Sequence, residues 1–199
     1  MAPRVPSSSA PLADLLADLG RALAQLGVRW YLFGAQAAIL YGVARLTADV
    51  DVTVDLASRS IPELTATLTT GGFELRMPDA EAFAERTRIL PCVHRQTRIP
   101  LDIVLAGPGL EEQFFSRARE HAFGQLRIPV ASAEDLLTMK MLAGRPKDLD
   151  DVVAIARAHG SGLDLARIRE TLRMLEEALN RRDLVQEFER ALAQVDPSA

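Results

Sequence analysis

The 199-residue sequence holds a single cysteine, Cys92, so no disulfide can close within the chain and no cysteine-rich metal site can form. A lone thiol in an apolar, strand-like stretch reads as a small buried hydrophobe. No apolar run is long enough for a membrane-spanning helix. Residues 1–10, rich in Pro and Ser, lack the apolar centre of a secretory signal and read as a frayed tail. A cytoplasmic protein without a membrane partner is expected. Excess positive charge is also missing. A formal net charge of −4 argues against strong DNA binding but leaves a small anionic substrate open. Lysine is scarce in a chain that otherwise uses arginine: Lys140 and Lys147 stand alone. Two lysines in one short stretch can mark places that need a compact ammonium rather than a planar fork, or can be chance.

What is present is an ordinary globular balance, 48% hydrophobic and 25% charged. The length suits one domain with a helical extension, or two small lobes. Leu12, Leu15, Leu16, Leu19, Leu23 and Leu26 form one helical stripe closed by Gly27. Val28 to Phe33 is β-prone, and Gly34 leads into a small-residue helix ended by Gly42. Asp49, Val50, Asp51, Val52, Thr53, Val54 and Asp55 alternate with period two, a strand with one polar and one buried face. A helix over 61–70, a short strand over 73–76, a short helix over 80–86, strands over 88–94 and 98–106, a helix over 110–120 and a strand over 126–130 follow. From Ala131 the pattern turns helical, with Ser132 as N-cap, and further helices over 147–158, 163–180 and 182–195. The expected fold is α/β (α+β): a mixed sheet flanked by helices over 11–130, then a helical lobe over 131–199.

Asp49 and Asp51, two apart on a predicted strand, point the same way. Carboxylates held side by side repel unless a cation sits between them, and hard cations such as Mg²⁺ take oxygen ligands. A third aspartate, Asp102, interrupts the apolar run Leu101 to Leu105. If its strand lies beside that of Asp49, three carboxylates converge on a metal site. A lone D-x-D is more often a pair of solvent-facing residues. Here, however, it belongs to one connected unit of strand, glycine turn, small helix and D-x-D strand, in which Gly34 lets the backbone come close to a phosphate.

The run Gly34-Ala35-Gln36-Ala37, then Gly42, Arg45, Thr47, Asp49 and Asp51, resembles the signature of the minimal nucleotidyltransferases, close to the bacterial abortive-infection-type nucleotidyltransferase toxins. Glu134-Asp135-Leu136, Lys140, Ala143, Arg145, Lys147, Asp148 and Asp151 are similar to that group's second signature. The resemblance implies a polymerase-β-like fold and transfer of a nucleoside monophosphate from an NTP to an acceptor (RNA, protein or small molecule), with Mg²⁺ or Mn²⁺ as cofactor. It implies metal binding by Asp49, Asp51 and Asp102, with Asp102 also helping to activate the acceptor hydroxyl. Gly34 would approach the triphosphate, Lys140 would face the phosphates, and Asp148 would orient Lys140 or assist the acceptor. A place in a toxin–antitoxin pair, with an RNA or protein partner, is implied as well. Many members carry Gly-Ser where this chain has Gly34-Ala35, so a hydroxyl contact to phosphate is absent. That departure keeps a second reading in play, a catalytically inactive member that binds a nucleotide or a partner.

Other residues divide between structural and functional readings. Arg45 either braces the loop before Asp49 or meets a phosphate. Lys140 could instead snorkel to solvent. Arg145 and Lys147 flank a Gly-Pro turn, and Asp148, Asp150 and Asp151 sit in a first helical turn, where acids are favourable regardless of function. His94, His121 and His159 do not cluster and read as surface or loop residues, while Trp30 and Tyr31 read as core.

Overall fold

The structure is a computed structural model that describes residues 10–195. The tail expected over 1–10 lies outside these residues except for Ala10, which begins the first helix. The chain folds as two compact units. One takes in the chain up to Phe33 together with Thr47–Val130, and the other Gly34–Leu46 with the chain from Ala131 onward. Residues 34–46 thus group with the helices that follow Val130.

The first unit is built on a seven-stranded mixed sheet. Its strands are β1 (Arg29–Phe33), β2 (Val50–Asp55), β3 (Phe73–Leu75), β4 (Ile89–His94), β5 (Pro100–Leu105), β6 (Arg119–Phe123) and β7 (Leu126–Val130), in spatial order β3-β4-β5-β2-β1-β7-β6. β2 lies parallel to β5 and antiparallel to β1. The alternation in β2 sends Val50, Val52 and Val54 to a fully buried face, joined by Leu101, Ile103, Leu105 and Leu90 from its neighbours. Each such side chain contributes about 1.5–3 kcal/mol by leaving water.

Helix α1 (Ala10–Leu26) carries the leucine stripe, with Leu15, Leu16, Leu19 and Leu23 buried, and packs against α3 (Ile61–Thr70). Ser60 caps α3: its backbone N–H donates to Glu63 at 2.8 Å and its Oγ accepts from the Glu63 N–H. Helix α4 (Ala80–Thr87) packs on β4. Helix α5 (Leu110–Arg117) lies beside β1, where Tyr31 meets Phe115 edge-on at 4.8 Å. The predicted helix over 110–120 is too long, because the chain leaves it after Arg117 and forms β6, an edge strand the pattern did not disclose.

The second unit gathers α2 (Gly34–Leu40), α6 (Ala133–Ala143), α7 (Pro146–His159), α8 (Leu165–Leu179) and α9 (Leu184–Ala193). Ser132 caps α6 by accepting from the Asp135 N–H at 3.2 Å. Helix α6 packs on α2, α7, α8 and α9, burying Leu136, Leu137 and Met141. Tyr41 Oη donates to the Ala131 carbonyl at 2.7 Å, fastening the 34–46 segment to the start of α6. Among the described residues no helix is long and apolar enough to cross a membrane.

Candidate functional site

The sheet register pairs two of the three predicted metal ligands. Asp51 on β2 and Asp102 on β5 are direct partners across the parallel ladder, so their carboxylates emerge on the same face of neighbouring strands. Asp49 is placed differently from the prediction. It precedes β2 in irregular chain, exposed, with its carboxylate accepting from the Thr47 hydroxyl. The physical reason is that the antiparallel pairing ends at Phe33↔Asp51, and β1 offers nothing opposite residue 49. Among the described residues no three Asp, Glu, His or Cys side chains form a group that could hold a metal ion.

The Asp51–Asp102 pair belongs to a longer row. Across the sheet run Pro91, Asp102, Asp51 and Phe33, each opposite the next. Arg76, just past β3, continues the row by donating its N–H to the Pro91 carbonyl at 3.0 Å. Its guanidinium ion-pairs with Asp102, both side chains remaining about one-third exposed. Nothing in the sequence pattern marks Arg76, since its role depends on register between strands far apart in the chain.

The donor set suits a hard divalent cation. It supplies only carboxylate oxygens, and Mg²⁺ characteristically takes one or two carboxylates and completes its shell with water and substrate phosphates. Asp51 and Asp102 meet that requirement without a third protein ligand.

The second unit contains a buried charge cluster. Lys140 on α6 is 4% exposed, and its Nζ donates to Asp151 at 2.5 Å and lies 3.5 Å from Asp148. Arg45 donates to the same Asp151 oxygen at 2.7 Å, and Arg145 Nε donates to Asp148 at 2.5 Å. Burial opposes the charged form of Asp148, but the Arg145 hydrogen bond and the nearby Lys140 charge outweigh it and hold this carboxyl below its ordinary value. Lys140 thus does not snorkel to solvent. Arg45 braces its segment through Asp151, a residue the sequence reading set aside as an ordinary acid of a first helical turn. The available signal was its spacing of three from Asp148, which puts both on the α7 face turned to α6.

Gly34 has φ of +67°, a left-handed conformation that lets the chain turn from β1 into α2. Ala35 follows it without a side-chain polar atom. His94 corrects the surface expectation: it is buried at the end of β4, with Nε2 3.0 Å from Asp18 and Nδ1 2.9 Å from Thr97. Tyr31 is buried as expected, while Trp30 is only half-buried. Burial pushes the Cys92 thiol up to about 12, which makes it an inert core residue.

Against known proteins, a family model described as "Nucleotidyl transferase AbiEii toxin, Type IV TA system" matches residues 14–197. No curated protein matches the chain. Among solved structures it is similar to an antigenic nucleotidyltransferase-like protein from Paracoccidioides brasiliensis, at 18% identity and TM-score 0.56, covering 93% of this chain and 95% of that one. It is also similar to the antibiotic-resistance factor ANT(2'')-Ia in solution, at 16% identity and TM-score 0.57, covering 86% and 94%. A crystal structure of ANT(2")-Ia in complex with adenylyl-2"-tobramycin matches at 15% identity and TM-score 0.56, covering 82% and 97%.

Proposed function

The chain belongs to the AbiEii family of nucleotidyl transferase toxins from type IV toxin–antitoxin systems, and from that membership we propose a divalent-metal-dependent enzyme that transfers a nucleoside monophosphate from an NTP to an acceptor hydroxyl. Nucleotidyl transfer is the activity of the family. The metal, the acceptor and the residue roles are this proposal.

The register of Asp51 against Asp102 carries the reading. Two carboxylates on adjacent strands repel, and the arrangement costs least when a cation lies between them. Asp51 and Asp102 would hold Mg²⁺ or Mn²⁺, with Asp49 joining them once it leaves Thr47. A metal bound there would neutralise phosphate charge as it develops. In the reaction the acceptor oxygen bonds to the α-phosphorus, the bond to the bridging oxygen of the β-phosphate breaks, and pyrophosphate leaves. Asp102 is the group proposed to take the acceptor proton. It keeps about one-third of its side-chain surface open to solvent, so an acceptor hydroxyl can reach it.

Gly34 and Ala35 are proposed on the NTP side, where they offer backbone rather than a hydroxyl. The buried pairing of Lys140 with Asp148 and Asp151 favours an organising part for these three and Arg45: they fix α6 on α7 and hold the 34–46 segment. The family implies an antitoxin. Candidate acceptors are RNA, a protein and, because a neighbouring fold is solved with an adenylylated aminoglycoside, a small hydroxylated molecule.

Incubation with each radiolabelled NTP, Mg²⁺ and panels of tRNA, protein and aminoglycoside acceptors tests the proposal. Label in an acceptor with equimolar pyrophosphate, lost in D51N and D102N, is expected. Label that persists in both variants would refute it.

A further inference from the structure

We infer that Arg76 is an internal counter-ion for Asp102, a positioning residue that holds this carboxylate until a divalent cation displaces its guanidinium. The inference rests on the proposed metal site and adds a residue that neither the sequence motifs nor the family match singles out.

Three observations carry it. First, Asp102 sits in the row with Arg76 on one side, across β4, and Asp51 on the other, one strand away. The carboxylate therefore has two competing cationic positions on opposite sides. Second, the Arg76 guanidinium is already bonded to Asp102 Oδ1. That contact places a positive charge on the carboxylate oxygen that a metal would also approach, so the two cations compete for it. Third, both side chains are about one-third exposed, so the pair is screened and weak enough to open. A pair buried as deeply as Lys140 and Asp151 would not exchange readily.

The consequence is a competition. With Arg76 on Asp102, the like charges of the two aspartates are partly offset without metal. With a cation between Asp51 and Asp102, Arg76 swings off as a free cation on the same face of the sheet. A ligand shifts such an equilibrium only by its differential affinity for the two arrangements, so removing the internal competitor must appear as tighter metal binding.

Mn²⁺ binding to the full chain without nucleotide, followed by the paramagnetic resonance signal of free Mn²⁺, provides the test. R76Q should bind Mn²⁺ more tightly than wild type by up to about fivefold, the upper scale of a solvent-screened ion pair. R76K, which keeps the charge, should stay near wild type, and D102N should bind more weakly than either. Unfolding midpoints read in parallel should show R76Q less stable without Mn²⁺ and more strongly stabilised by it. An R76Q affinity equal to or weaker than wild type, with D102N still impaired, overturns the competition while leaving the metal site standing. Equal binding by wild type, R76Q and D102N, or no binding by any of them, overturns the inference together with the metal site it rests on.

Discussion

Asp51 and Asp102 face one another across the parallel β2–β5 ladder, far apart in sequence and adjacent in the sheet. Strand order and register alone create this relationship. Val50, Val52 and Val54 turn one face of β2 into the core, which obliges Asp51 to the other, and Leu101, Ile103 and Leu105 do the same for Asp102.

Replacing either aspartate by its amide keeps the shape and removes the charge. D51N and D102N should each lower nucleotidyl transfer by about 10²–10³-fold or more, the range for losing a preorganised electrostatic contact to the transition state. Their far-UV circular dichroism should match wild type. A steady-state assay at saturating NTP reads the loss.

The Lys140–Asp151 pair behaves differently because it is buried. K140M or D151N alone strands a charge in the interior and should cost about 3–5 kcal/mol in urea unfolding. The double variant K140M/D151N should cost clearly less than the sum of the single changes, since it removes both charges together. Additive losses would contradict the pairing.

Asp148 makes stability depend on pH. Its carboxyl lies below its ordinary value of 3.8 in the folded chain, so its contribution is fully present above that value and fades as pH falls toward the lowered one. The stability difference between wild type and D148N should be constant near neutrality and shrink below about pH 4. Chemical denaturation at a series of pH values reads it.

Gly42 has φ of +93°, and a Cβ there would sit 3.3 Å from the Ala158 Cβ. G42A therefore combines backbone strain with a tight contact, and should lower stability by about 1–3 kcal/mol. A thermal melt shows it directly.

How much of this the sequence disclosed follows from the range of the signals. Local patterns were legible: the Asp/Val alternation of β2, the Ser132 cap and the leucine stripe of α1 all reappear. Strand β6 was hidden because Arg119-Glu120-His121-Ala122-Phe123 is an edge strand with mostly exposed side chains and no apolar alternation. Arg76 was hidden because its meeting with Asp102 depends on the register of β3, β4 and β5, which no local window encodes. Asp151 was masked by its position near the start of α7, where acids are common whether or not they reach a buried lysine. The grouping of 34–46 with the C-terminal helices rests on contacts such as Tyr41 to Ala131, between segments distant in the chain.

The central claim, one cation shared by Asp51 and Asp102, is tested most directly by a crystal structure of the full chain soaked with Mn²⁺ and a non-hydrolysable NTP, with anomalous data at the manganese edge. The account predicts an anomalous peak bound by carboxylate oxygens of both aspartates, with the Arg76 guanidinium withdrawn from Asp102. A peak bound elsewhere, or none while Arg76 still holds Asp102, would contradict it.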